Sequence, residues 1–149
     1  MLSVGLLAVL PYVGILDSPY VFDDVKLVRD NKELRSQGEG DIGDIAATFD
    51  VTSRKWSKEE LRANYRPLRF LSYRLDYYIS TVFLGDFNPA KDPPPVLFFH
   101  LQNIFWHALN AMLVFLLGRC LLGSSAAGFL AALIFALHPA QTEAVTYIS

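Results

Sequence analysis

Pro94–Gly118 reads PPVLFFHLQNIFWHALNAMLVFLLG, and these 25 residues contain no Asp, Glu, Lys or Arg. One residue later, Cys120–Thr142 reads CLLGSSAAGFLAALIFALHPAQT, again without a charge over 23 residues. A helix rises about 1.5 Å per residue, so about 20 apolar residues cross a 30 Å hydrocarbon layer. Each run is long enough to span. Between them lies Gly118-Arg119-Cys120-Leu121-Leu122-Gly123-Ser124, which reads as a tight turn joining two antiparallel helices.

Residues 1–16 are also uncharged. They read as a first transmembrane helix, clipped at its start, or else as a signal peptide. No Lys or Arg precedes the segment to form a basic n-region, which favours the helix. Charge is confined to what lies between. Of the 28 Asp, Glu, Lys and Arg residues in the 149-residue chain, 26 fall between Asp17 and Asp92. With 52% hydrophobic residues and a mean hydropathy of +0.29, the chain is no uniform soluble globule. A net charge of −2 offers no basic footprint for nucleic acid. The single Cys120 has no partner within the chain for a disulfide. Thus the sequence predicts an all-α membrane protein of about three transmembrane helices, at 1–16, 96–118 and 124–149, the third kinked at Pro139. A long loop, 17–95, carries amphipathic surface helices. Arg119 in the short turn places that turn in the cytoplasm and the loop on the other side.

Within the loop, Ser57 and Glu60 match a helix-capping pair. Pro67 suits the first turn of a helix, and Leu68, Leu71, Leu75 and Ile79 recur at helical spacing after it. Arg66, Arg69, Arg74 and Asp76 interrupt that stripe, and three tyrosines accompany it. The pattern predicts an amphipathic helix lying on the membrane surface.

In the second span His100, Asn103, His107 and Asn110 form one polar stripe. Polar side chains in hydrocarbon turn toward a cavity or a neighbouring helix. Two histidines seven residues apart lie about 10 Å apart along the axis, too far to share one metal ion. At the end of the third span His138, Gln141, Thr142 and Glu143 gather around Pro139. Asp23 and Asp24 stand just outside the first helix. Two adjacent carboxylates can act as a general base, or can cap the turn that follows.

Four motifs occur in order: Tyr20-Val21-Phe22-Asp23-Asp24; Asn64-Tyr65-Arg66-Pro67-Leu68 with Leu71-Ser72-Tyr73; Phe99-His100-Leu101-Gln102-Asn103 with His107-Ala108-Leu109-Asn110; and Ala136-Leu137-His138-Pro139 through Thr142-Glu143-Ala144-Val145. In this arrangement the chain resembles the N-terminal part of the transmembrane-and-TPR-repeat family, O-mannosyltransferase-like proteins of the GT-C glycosyltransferase superfamily, here of a bacterial type. The resemblance covers nearly the whole chain. It implies a bundle with further transmembrane helices followed by tetratricopeptide repeats, so the chain is expected to be a fragment without activity of its own. It implies a polyprenyl-phosphate sugar as donor and a protein or glycan as acceptor; no metal ligand is read among the site residues, and a divalent-metal requirement stays open. Asp23 becomes the expected base, with Asp24 as its partner. Arg66 is expected to hold the donor phosphate, and His100, His138 and Glu143 to line the substrate cavity. Gln141 departs from the histidine that eukaryotic members often carry there. Expected partners are membrane lipids, the sugar donor, its acceptor and the remaining helices and repeats, in a bacterial inner membrane or an endoplasmic reticulum membrane. Two other functions fit the same features. One is a membrane-anchored repeat scaffold without catalysis. The other is a transporter relaying protons through His100, His107 and Glu143.

Overall fold

A computed structural model describes residues 1–21, 24–30, 67–84 and 95–148. Most of these residues are helical, with no strand among them. The chain divides into two units, Met1–Val25 with Val96–Ser149, and Lys26–Pro95.

The first unit begins with α1, Leu2–Val9, which tightens into a 3-10 helix over Leu10–Ile15. Pro11 explains the change. It has no N–H to donate, and its ring meets the carbonyl four residues back, so α-type bonding cannot continue through it. A turn follows, in which Ser18 N donates to the Ile15 carbonyl at 2.9 Å. Asp24 closes a second turn. Its N–H donates to the Val21 carbonyl at 3.1 Å, while its Oδ2 accepts from Val21 N at 3.3 Å.

Residues Val96–Leu122 form α3, 27 residues long. Gly118 and Arg119 do not end it. The helix stops at Gly123, whose φ of +62° only glycine adopts without strain. Arg119 lies in the last turn, where a cation complements the helix dipole. Ser124 then caps α4, Ser125–Leu137, its Oγ accepting from Ala127 N at 3.4 Å. Here Gly118 serves a close approach, since a Cβ on it would stand 3.0 Å from Gly128 Cα. Helices in lipid gain nothing from the hydrophobic effect against each other, and small residues let their backbones touch. Val4, Ala8, Ala111, Phe115, Ala132 and Ala136 form the core where α1, α3 and α4 meet.

At Pro139 the chain breaks rather than kinks. His138 takes an extended ψ of 130°, as residues before proline do, and α5 starts afresh at Gln141–Thr146. Among the described residues only α3 is long and apolar enough to cross a membrane. Leu2–Ile15 and Ser125–Leu137 are shorter apolar helices.

A π-helical turn at Val25–Arg29 begins on the last residue of the first unit's N-terminal stretch, and the second unit's described residues include α2, Pro67–Leu84. The periodic stripe predicted after Pro67 is thus one helix of 18 residues. Its leucines Leu68 and Leu75 are exposed, as are Val82 and Phe83, while Tyr73, Asp76 and Ser80 are buried. The capping pair at Ser57 and Glu60 lies outside the described residues, as do 31–66 as a whole.

Candidate functional site

The N-terminal half of α3 gathers the polar groups of the first unit. His100 is 1% exposed and its Nε2 lies 3.2 Å from the Ser18 carbonyl. A carbonyl only accepts, so Nε2 carries the proton and Nδ1 is left as an acceptor. That Nδ1 is buried without a hydrogen-bond partner. One turn along, Asn103 Nδ2 donates to the Tyr147 carbonyl at 2.6 Å and approaches the Val145 carbonyl at 3.4 Å. The Ser18 and Tyr147 carbonyls therefore meet α3 on positions three residues apart, about 4.5 Å along its axis. Tyr12, Ile104 and Val145 close an apolar cluster beside them. The turn ahead of Asp24 and the segment after Pro139 are thus held at the same end of α3.

Deeper along the stripe, His107 Nε2 lies 3.2 Å from the Ala136 carbonyl, freed where α4 ends before Pro139. The ring also meets Tyr12 edge-on at 5.2 Å and stacks with Phe135 at 5.7 Å. His107 and Asn103 therefore tie helices together. Asn110 is exposed.

The expected site residues fall as follows. Asp24 is 1% exposed, in the turn that Val21 closes. Asp23 and Arg66 lie outside the described residues. His138 is exposed, and its Nδ1 accepts from Ala140 N at 3.1 Å, stitching the break around Pro139. Glu143 is exposed on α5 beside a cavity of about 300 Å³ that Ala140, Ala144 and Tyr147 also line. The structure brings the turn at Ser18, His100 and the Val145–Tyr147 segment to one end of α3. Sequence reasoning missed Ser18 and Tyr147, which act through main-chain carbonyls and so leave no residue signature. It also missed Asp76, 2% exposed on α2, whose carboxyl burial pushes up to about 8. The signal available was its place on one helical stripe with Arg69 and Ser80. Among the described residues no three His, Cys, Asp or Glu side chains gather to hold a metal ion.

An apolar helical hairpin, small-residue helix contacts and a polar cluster at one helix end define a helical membrane protein. The chain is 32% identical to protein O-mannosyl-transferase TMTC4 of Homo sapiens over 157 residues, covering 97% of this chain and 19% of that protein. It is 33% identical to protein O-mannosyl-transferase TMTC3 of Mus musculus, over 91% of this chain and 13% of that protein. With Tmtc1 of Drosophila melanogaster, another protein O-mannosyl-transferase, it shares 31% identity over 93% of its length and 14% of the relative's. Over most of its own length the chain is similar to these protein O-mannosyl-transferases, and it spans about a fifth or less of their length. No family model matches the chain, and no solved structure does.

Proposed function

We propose that the chain supplies the first outer loop and adjoining helices of a membrane glycosyltransferase, which moves a sugar from a polyprenyl phosphate to a hydroxyl of a protein or glycan. The names of the relatives make mannose the first sugar to test. The observation that supports this most directly is the bond from His100 to the Ser18 carbonyl. It ties the turn at Ser18, which precedes Asp24's turn in the chain, to the end of α3 where the Tyr147 segment after α5 is also held.

In the proposed reaction Asp23 takes the proton of the acceptor hydroxyl. The oxygen attacks the anomeric carbon, the bond from that carbon to the phosphate oxygen breaks, and polyprenyl phosphate leaves. Arg66 holds the phosphate, because a guanidinium fork matches two phosphate oxygens. Asp24 shapes the turn beside the base. The exposed leucines of α2 sit in the membrane interface. Residues 17–95 face away from the cytoplasm, and the apolar stretches 1–16, 96–118 and 124–149 lie within the membrane.

The test is a transfer assay with a polyprenyl-phosphate sugar, on the protein expressed in full from its own gene. Positioned acid–base groups contribute roughly 10²–10⁴-fold. Asp23→Asn should lower kcat by about that factor with donor affinity nearly unchanged, and Arg66→Lys should mainly weaken donor binding. Full turnover by Asp23→Asn refutes the base assignment.

A further inference from the structure

Glu143 is the single Asp, Glu, Lys or Arg among residues 120–149. With Ala140, Ala144 and Tyr147 it lines one cavity of about 300 Å³. The four stand at i, i+3, i+4 and i+7, along one face of α5 and its two ends. One wall thus carries a carboxylate and another a phenol ring, over a floor of two alanine methyls. The frame is fixed from beneath. Asn103 holds the Tyr147 carbonyl at 2.6 Å, and Val145 is buried against Tyr12 and Ile104. Glu143 itself is exposed, and it has no ion-pair partner among the described residues.

Size and chemistry limit the occupant. Cavities that hold whole small ligands run from about 300 to 1,000 Å³, so one at the lower bound suits a single side chain or head group. A carboxylate accepts hydrogen bonds, and the face of a tyrosine ring attracts a cation. A phosphate meets only repulsion from Glu143. A lipid ammonium carries its phosphate two carbons behind it, and no Lys or Arg lines the cavity to receive that phosphate. A sugar presents hydroxyls all round its ring, and the alanine methyls answer none. A long basic side chain matches each part. Its apolar stem lies over Ala140 and Ala144, and its charged head reaches Glu143 and Tyr147. Through Asn103 the cavity is tied to the same end of α3 at which His100 holds the turn at Ser18. A polypeptide bringing a hydroxyl to that end passes over it.

We propose that this cavity takes a lysine or arginine side chain of the acceptor polypeptide. The proposal rests on the transferase reading and narrows its acceptor to a polypeptide with a basic residue near the hydroxyl that receives the sugar.

Threonine peptides test it, in pairs identical but for a lysine or a norleucine placed in turn at each position near the threonine. Their binding is measured to the protein expressed in full from its own gene and held in lipid nanodiscs, with mannosyl transfer measured in parallel. At one position the lysine peptide should bind about fivefold tighter than its norleucine twin, the worth of an exposed ion pair with a cation–π contact. That advantage should shrink as salt rises. Glu143→Gln should bring the pair to within about twofold of each other. Glu143→Lys should favour glutamate at the same position instead, a reversal that a misfolded variant does not produce. No lysine preference at any position overturns the proposal, as does a preference that Glu143→Gln leaves intact. If the peptides bind with the expected preference and none is mannosylated, the transferase reading falls, and the acceptor assignment falls with it.

Discussion

Replacing Gly128 by alanine should loosen the α3–α4 hairpin more than the same change at Gly5, Gly14 or Gly118. A Cβ at this position would stand 2.7 Å from Arg119 N, 2.7 Å from the Phe115 carbonyl oxygen and 3.1 Å from Arg119 Cα. Favourable contact begins near 3.5 Å, so the helices must part locally by roughly 0.8 Å. The obstructing atoms are main chain within α3, and no rotamer change clears them. Overpacking of this kind costs about 1–3 kcal/mol, offset in small part by alanine's better helix propensity. At about 2–4 °C per kcal/mol for a chain of this size, the melting temperature in detergent should fall by roughly 2–12 °C. Gly14→Ala is the matched control, because a Cβ there meets nothing within 4 Å. Gly118→Ala should fall between, with its contact of 3.0 Å to Gly128 Cα. Equal melting of the Gly128 and Gly14 variants would refute the close approach of the two helices.

Asn103→Leu keeps the volume but removes the donor to the Tyr147 carbonyl, and should cost about 0.6–1.7 kcal/mol, read as easier proteolysis after Glu143. The Asp76 carboxyl titrates near 8 in the folded protein and near 4 when unfolded. Between those values the folded state binds more protons, so this residue's contribution to stability falls as pH rises from 4 to 8 and is level above. Asp76→Asn should therefore melt progressively higher than wild type across that window, and a difference that does not change with pH would contradict it. In a Cys120→Ser background, Gly40→Cys should react with an impermeant thiol reagent added from the non-cytoplasmic side, while Arg119→Cys should react only after permeabilisation. The reverse pattern inverts the topology.

The apolar runs revealed the helices because lipid-facing helices need uninterrupted hydrophobic sequence, and this requirement is local. What the sequence hid was not local. Gly118 looked like the onset of a turn, yet α3 runs on to Leu122, because a glycine pressed against another helix and a glycine ending one are the same letter. Pro139 announced an interruption but not that His138 would turn extended and start a new helix. The leucine spacing of α2 marked its start but not its run on past Ile79 to Leu84, and which face turns inward depends on what surrounds it. The stripe on α3 marked His100, Asn103 and His107 as needing partners. Those partners are the main-chain carbonyls of Ser18, Tyr147 and Ala136, which any residue could have supplied. Asp23 and Arg66 rest on the family resemblance.

The bonds from His100 and Asn103 also set a timetable for biosynthesis. His100 takes the carbonyl of a residue made 82 positions earlier, and Asn103 takes one made 44 positions later. Chains grow at about 5–20 residues per second, so Ser18 waits roughly 4–16 s for its histidine and Asn103 a further 2–9 s for Tyr147. Through that second interval α3 carries an unsatisfied amide on the face that will later hold α5. Such a helix is a poor guest in hydrocarbon until α4 and α5 are in place. The insertion machinery should therefore retain α3 and release it together with the hairpin partner that follows, so that the polar end is assembled late and in one step.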